Sequence, residues 1–496
     1  MKNASTSSQS PSPGVVNEMI PNPRRWKALG LLSLAQFLVI LDTSIIGVAL
    51  PTIQEQFGFS QADLQWIFNA YVIVFGALLL LGGRLSDIVG QRKIFIIGFM
   101  ILTIGSIIAG LAPSGFVLIA ARAIQGIGAA LIAPSALSLV MSLFGNNKSE
   151  MNKAMGIWGA SAPAGGTAGV FLGGIITAWV DWSWVFLINV PIGIAVLGLS
   201  TRLLPRVSRR KGSIDYLGAL FITGALTLVV YAIVTANDSG WTSMQTIVPF
   251  GISSLMFVLF FRIQRQKKEP LIPLSIFKTP NLLTSNIVMA LLGAAWIPMW
   301  FFLNLYLQQI LDYGPFESGL ALLPMTVMIM VLMVSITPRL MSRFGIKRNL
   351  IIGLGLMAAG ILMFSLTPSS SNSTFYTFIL SVLPGSLVAA LGMSMAYIPV
   401  LTVAISNTHR EQTGLASGVV NTSYQIGSAL GLAIVVALAT SQTESLENIG
   451  LPPIEAFNNG FHLAFIAAGI FSTIAAIIAI GGLRILRAGK NMARTS

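Results

Sequence analysis

Residues 84–114 read RLSDIVGQRKIFIIGFMILTIGSIIAGLAPS: a charged, glycine-containing loop at 84–93, then an apolar run at 94–112. A bilayer core is about 30 Å thick and a helix rises about 1.5 Å per residue, so roughly 20 such residues cross it. The run therefore predicts a transmembrane helix entered through a basic turn. Residues 339–369, RLMSRFGIKRNLIIGLGLMAAGILMFSLTPS, repeat the stretch in one register 255 residues later (339 − 84). Arg84, Leu85, Gly90, Ile96, Ile97, Gly98, Gly105, Leu111, Pro113 and Ser114 meet identical partners. Two unrelated apolar helices can share Ile and Leu by chance, but Gly, Pro and a basic loop in a single register point to duplication.

Working outward, fourteen segments meet the length criterion, near 28–50, 66–83, 94–112, 116–143, 155–179, 184–203, 217–236, 244–262, 283–308, 317–337, 349–367, 375–404, 414–440 and 460–484. Numbered in that order, the repeat sets span 1 opposite span 9, so six spans recur with spans 7 and 8 inserted between. Alternate loops separate by charge. Arg24, Arg25, Lys27, Arg84, Arg92, Lys93, Lys148, Lys153, Arg206, Arg209, Arg210 and Lys211 fall on one side. Arg265, Lys267, Lys268, Lys278, Arg339, Arg343, Lys347, Arg348, Arg410, Arg487, Lys490 and Arg494 continue the pattern, while the opposite loops carry only Asp and Glu. The positive-inside rule then predicts an even number of spans with both termini cytoplasmic.

Composition agrees: 54% of the 496 residues are hydrophobic and 9% charged, with a mean hydropathy of +0.81. The net charge of +13 would suggest nucleic acid in a soluble chain. Here the basic residues sit in short loops between spans, so no nucleic-acid partner is expected. Zero cysteines remove disulfides and thiolate metal sites, and two isolated histidines, His409 and His462, build no metal centre. Residues 1–23, rich in Ser, Pro and Asn, read as a disordered tail rather than a signal peptide. No Gly-x4-Gly-Lys-Ser/Thr string is present, so energy is expected from ion or substrate gradients and no cofactor is predicted.

Arg122 and Asp42 are the two ionisable residues deep inside apolar spans. Leaving either isolated near mid-bilayer costs roughly 2.5–3.5 kcal/mol, so each should face a partner or a wet cavity. Counted from the span ends, the two lie at similar depth and should meet directly or through water. Two readings stand: a static pair locking two helices, or a proton site in which Asp42 gains and loses a proton as a cavity changes sides. Span 5 is glycine-rich (Gly159, Gly165, Gly166, Gly169, Gly173, Gly174, with Pro163), which predicts close packing and a surface that slides or rocks. Span 9 holds Trp296, Trp300, Phe301, Phe302, Asn304, Tyr306, Gln308 and Gln309, facing either lipid or a ligand. With Gln36, Asn69, Tyr71, Gln125, Asn421, Tyr424 and Gln425 they form a candidate substrate cavity suited to bulky amphiphiles.

At these residues the chain resembles the major facilitator superfamily, and within it the fourteen-span drug:proton antiporters. LDTSIIGVALP at 41–51 is similar to the first-span motif L-D-x-T-x-x-N-V-A-L-P, departing at Ser44 and Gly47. GRLSDIVGQRK at 83–93 resembles the loop G-x-L-a-D-r-x-G-r-R/K through Gly83, Leu85, Asp87, Gly90 and Arg92, with Ile88 and Gln91 replacing basic residues. LIAARAIQGIGAA at 118–130 matches the span-4 motif, carrying Arg122, Gln125, Gly126 and Gly128. Gly165, Gly169, Gly173 and Gly174 resemble the antiporter motif of span 5, with Val170 in place of its Pro. WSWVFLINVPIG at 182–193 and LYLQQILDYGPFESGLALLP at 305–324 also look like this family. The resemblance implies a cytoplasmic gate clamped by the 83–93 loop and export by alternating access.

The expectation is thus an all-α integral membrane protein: a tail at 1–25, six-helix bundles at 26–204 and 283–486, inserted helices with basic linkers at 205–282, and a tail at 487–496. It is expected to work as a monomer in the cytoplasmic membrane, exporting amphiphilic or cationic drug-like compounds against entering protons. A dedicated exporter of one metabolite or antibiotic and a passive facilitator remain the alternatives. An enzyme is disfavoured, because no nucleophile and base are readable.

Overall fold

The computed structural model describes residues 24–144, 148–205, 213–267, 269–368, 374–406, 408 and 413–483. Residues 1–23 and 487–496 of the expected tails lie outside them, as do Arg206, Arg209, Arg210, Lys211, Lys268, His409 and Arg410. Every regular element among the described residues is helical. Among the described residues, thirteen helices are long and apolar enough to cross a bilayer. The fourteenth, span 5 (Lys148–Trp179), is long enough at 32 residues but less apolar, because glycines stand where other spans carry Leu or Ile. The fourteen-span architecture holds.

The helices overrun the apolar windows. Span 1 comprises Arg25–Ser44 and Ile46–Phe57. Spans 2, 3 and 4 are Trp66–Val89, Gln91–Gly110 and Gly115–Phe144. Span 6 is Trp184–Leu187 with Asn189–Leu203. Spans 7 and 8 are Tyr216–Ser239 and Met244–Gln266. Span 9 is Leu282–Leu305 with a π-helical turn at Tyr306–Ile310, and span 10 runs from Pro315 to Phe344 through a second π turn at Leu332–Ile336. Spans 11 to 14 are Ile346–Met363, Thr374–Ile405, Thr413–Asn448 and Pro453–Gly482.

The duplication organises the packing. Span 1 packs on span 5, span 3 on spans 4 and 6, and span 2 on span 4; likewise span 9 packs on span 13, span 11 on spans 12 and 14, and span 10 on span 12. The halves meet reciprocally, span 5 against span 10 and span 13 against span 2. This is the contact pattern of a pseudo-twofold axis.

Two details in the quoted stretch repeat at atomic level. Gly90 and Gly345 turn the chain with φ of 114° and 83°, values that a side chain strongly disfavours. Arg92 donates to the carbonyls of Thr201 and Leu204 at the end of span 6, as Lys347 does to Ile480 and Leu483 at the end of span 14. Each cation closes a helix C-terminus, where the exposed carbonyls and the helix dipole favour positive charge. The face carrying these loops is called the basic face, and the opposite one the acidic face.

Spans 7 and 8 form a hairpin, with span 7 laid over spans 2 and 13 where the halves meet. Their ends are tied at the basic face. Arg84, at the end of span 2, donates to Glu269 (2.7 Å) and to the Ser213 carbonyl. Asp215 caps span 7 through the Gly218 amide and accepts from Gln264 and Lys267, both at 2.6 Å. Burial alone would raise the Asp215 pKa, but these donors outweigh it and hold the carboxyl below its usual range. A lowered folded pKa stabilises above the unfolded value of about 3.9 and ceases to do so as pH falls through the folded one. Asp215→Asn should therefore lower stability by about 1 kcal/mol at pH 7. Thermal unfolding in detergent should show the gap to wild type closing below about pH 4; a constant gap would refute the assignment.

Candidate functional site

Asp42 lies in the last turn of the first segment of span 1, just before the irregularity at Ile45 that separates the two segments. Six residues beyond that joint, Pro51 removes a backbone donor, so the outer half of span 1 is less firmly braced than an ordinary helix. Because span 1 continues to Phe57 rather than ending near residue 50, Asp42 is fifteen residues from its acidic-face end (57 − 42). Arg122 is seven from the start of span 4 (122 − 115). The end counts do not match, yet the pair forms, because adjacent helices need not end at the same height.

Both side chains have 0% exposure and meet directly: Arg122 Nη1 donates to Asp42 Oδ2 at 2.5 Å. The other carboxylate oxygen accepts from Gln125 Nε2 at 3.0 Å and Asn189 Nδ2 at 2.7 Å. Gln125 also donates to Ser106 Oγ (2.8 Å), and its own carbonyl accepts from Arg122 Nη1 (2.8 Å). Arg122 Nε donates to the Ile67 carbonyl at 3.0 Å, and the guanidinium lies 4.4 Å from the Tyr71 ring centre. Spans 1, 2, 3, 4 and 6 thus contribute to one knot of polar groups. Three donors aimed at one carboxylate is an arrangement for an ionised acid. Among the described residues, Arg122 Nη2 and the Asn189 carbonyl oxygen have no hydrogen-bond partner, so one donor and one acceptor of the knot stay unpaired. Sequence reading missed Asn189 and Ser106. Asn189 stands inside WSWVFLINVPIG as a lone amide in an apolar run, a usable signal, whereas Ser106 resembles any helix serine.

Span 5 seats span 1. A Cβ on Gly165 would stand 2.4 Å from the Phe37 carbonyl oxygen, on Gly169 within 3.0 Å of Ser44 and Ile45, and on Gly173 2.6 Å from the Ile45 carbonyl oxygen. Gly174 instead meets span 10, 2.9 Å from the Pro315 carbonyl oxygen. One glycine face therefore fixes the segment bearing Asp42, and a neighbouring glycine touches the other half. At the basic face Arg25 and Glu150 add a two-pronged ion pair between the same two spans (2.8 and 3.0 Å).

In the conformation described, the 83–93 loop holds neighbouring helix ends. Arg92 caps span 6 of its own half and Gly90 makes the turn, while a Cβ on Gly83 would stand 3.6 Å from Pro134. Asp87 has no hydrogen bond or ion pair among the described residues, and the loop's outward tie is made by Arg84 to the inserted hairpin.

In the conformation described, the candidate cavity residues make separate sets of contacts. Tyr71 and Gln125 belong to the Asp42 knot, Asn69 is bonded to Gln65, and Tyr306 donates to the Pro368 carbonyl at 2.9 Å. Asn304 donates back to Trp300 O and, with Trp300, packs on Gly47. Each of these is buried against neighbouring helices, as is Trp296, which stacks on Trp300. Gln36, Asn421 and Gln425 keep partial exposure, and Gln425 crosses to Gly76 of span 2. Buried polar groups in a membrane protein satisfy one another first, and sequence spacing does not separate that role from lining a cavity. At the acidic face a cavity of about 640 Å³ opens between the halves, lined by Gln54, Ser60, Gln308, Gln309, Asp312, Thr440, Thr443, Glu444 and Glu447 among others. No group of three His, Cys, Asp or Glu among the described residues is placed to hold a metal ion.

The profile of the Major Facilitator Superfamily matches residues 32–432. The chain is 36% identical to the puromycin resistance protein pur8 of Streptomyces alboniger, over 89% of this chain and 87% of that one. It is 35% identical to the cephamycin export protein CmcT of Amycolatopsis lactamdurans, over 91% of each. Among solved structures, the peptide transporter POT in complex with sulfate superposes with a TM-score of 0.65 at 14% identity, covering 92% of this chain and 95% of that one. With its duplicated six-helix halves, its buried pair between spans 1 and 4 and this match, the chain belongs to the Major Facilitator Superfamily and is a multi-pass membrane transporter of small molecules.

Proposed function

We propose that this chain is a proton-coupled exporter of amphiphilic or cationic drug-like compounds, set in the cytoplasmic membrane with its basic face and both termini toward the cytoplasm. The observation that carries the reading is the Asp42–Arg122 pair, held at zero exposure beside the joint in span 1. A proton arriving at Asp42 removes the charge that holds Arg122, and one carboxylate oxygen must then exchange an accepted hydrogen bond for a donated one. Both changes loosen span 1 from span 4. The segment free to respond is the one beyond Ile45, so protonation and rocking of the halves are coupled through the same helix. In the conformation described, the pair is closed to water and stands for the charged, locked state of the cycle. Names of relatives given for resistance and export support the direction of transport.

Ethidium efflux from energised vesicles tests this. Extrusion should follow an imposed pH gradient and stop when a protonophore collapses it; efflux unchanged by the collapse would instead identify a passive facilitator. Several relatives are named for a single antibiotic, which favours a dedicated exporter as the second reading. Resistance confined to one compound across a drug panel would establish it.

A further inference from the structure

We propose that Gln54, Gln308 and Gln309 form a latch on the repeat axis that closes the acidic-face end of the transporter; this rests on the alternating-access reading above. Gln54 and Gln309 are the same position in the two repeats, since 54 + 255 = 309. Gln309 Nε2 donates to Gln54 Oε1 at 2.8 Å. A residue touches its own repeat-mate only where the pseudo-twofold axis passes between them, so this bond marks the axis at the acidic face. Beside it, Gln308 Nε2 donates to the Val48 carbonyl at 3.0 Å. Both bonds join spans 1 and 9, the leading helices of the two halves.

The backbone is shaped for this contact. Gln308 and Gln309 lie in the π turn Tyr306–Ile310, a widened turn of a kind often found at functional positions. Tyr306 anchors that turn to its own half by donating to Pro368 O. The receiving strip of span 1, Val48 to Gln54, lies beyond the Ile45 joint and contains Pro51. The latch also separates wet from dry. All three glutamines line the acidic-face cavity with Ser60, Asp312 and Glu444. Beneath them Gly47 is pressed on Trp300 and Asn304, each with an atom 3.2 Å from where a Cβ would stand, and Asn304 is fully buried. Neutral amide bonds at a wet edge exchange with water at small net cost. The end therefore closes without being locked, as a gate that opens every cycle requires.

The chain has no cysteine, so Asn304→Cys introduces a single thiol below the latch. Its labelling by a negatively charged maleimide, on purified protein in lipid nanodiscs, reports opening. Adding Gln308→Ala and Gln309→Ala should speed labelling about tenfold. Gln54→Ala, made from the other half, should speed it about threefold and serves if the double variant does not fold. Unchanged labelling in the folded variants overturns the latch. The readout needs no export, so failure of the vesicle assay would sink the exporter reading and leave the latch standing.

Discussion

Asp42→Asn is expected to abolish gradient-driven efflux while leaving downhill movement of substrate measurable. The variant keeps an acceptor for Gln125 and Asn189 but leaves the Arg122 guanidinium, at zero exposure, without a counter-charge. Removing one partner of a buried pair costs about 3–5 kcal/mol, so a fall in the unfolding temperature should accompany the loss. The two effects separate in the double variant Asp42→Asn with Arg122→Gln. With no orphaned charge it should regain most of the stability, since coupled sites are non-additive, yet remain uncoupled because no group is left to carry the proton. Thermal unfolding and vesicle efflux on the same preparations check both halves. Uphill, pH-dependent export by Asp42→Asn would remove the carboxylate from the mechanism.

Gly173→Ala is expected to destabilise by about 2–3 kcal/mol and to stop export, although the same exchange in most helices is favourable. Its Cβ would stand 2.6 Å from the Ile45 carbonyl oxygen, a backbone atom that cannot turn aside. Spans 1 and 5 would have to part at the joint next to Asp42. Gly198 in span 6 has nothing within 4 Å of its added Cβ. Gly198→Ala should therefore stabilise by about 0.5–1 kcal/mol through helix propensity alone. Opposite signs in the unfolding temperature are the diagnostic; equal shifts would refute the close approach.

Legibility in the sequence differed with the kind of residue. Arg122 and Asp42 stood out because ionisable groups are rare inside apolar spans, and their pairing followed from the cost of leaving either alone. Gly165, Gly169 and Gly173 announced close packing by spacing, but not that the surface they meet is the backbone around Asp42. The 83–93 loop is expected to clamp the cytoplasmic gate; its basic residue Arg92 also caps span 6, a role duplicated at Lys347 that the repeat already contained. The polar residues of span 9 looked like one set, yet Tyr306 is turned into its own half while Asn304 packs on Gly47 of the other.

The sequence by itself determined the number of spans, their sorting by charge and the duplication, because those follow from bilayer thickness, loop charge and register, each a property of one stretch of chain. Only the tertiary structure decided which polar groups complete the Asp42 knot, and that Gln54 meets Gln309 on the axis. Those outcomes depend on how neighbouring helices are rotated about their own axes, and that rotation is set by packing between segments far apart in the chain.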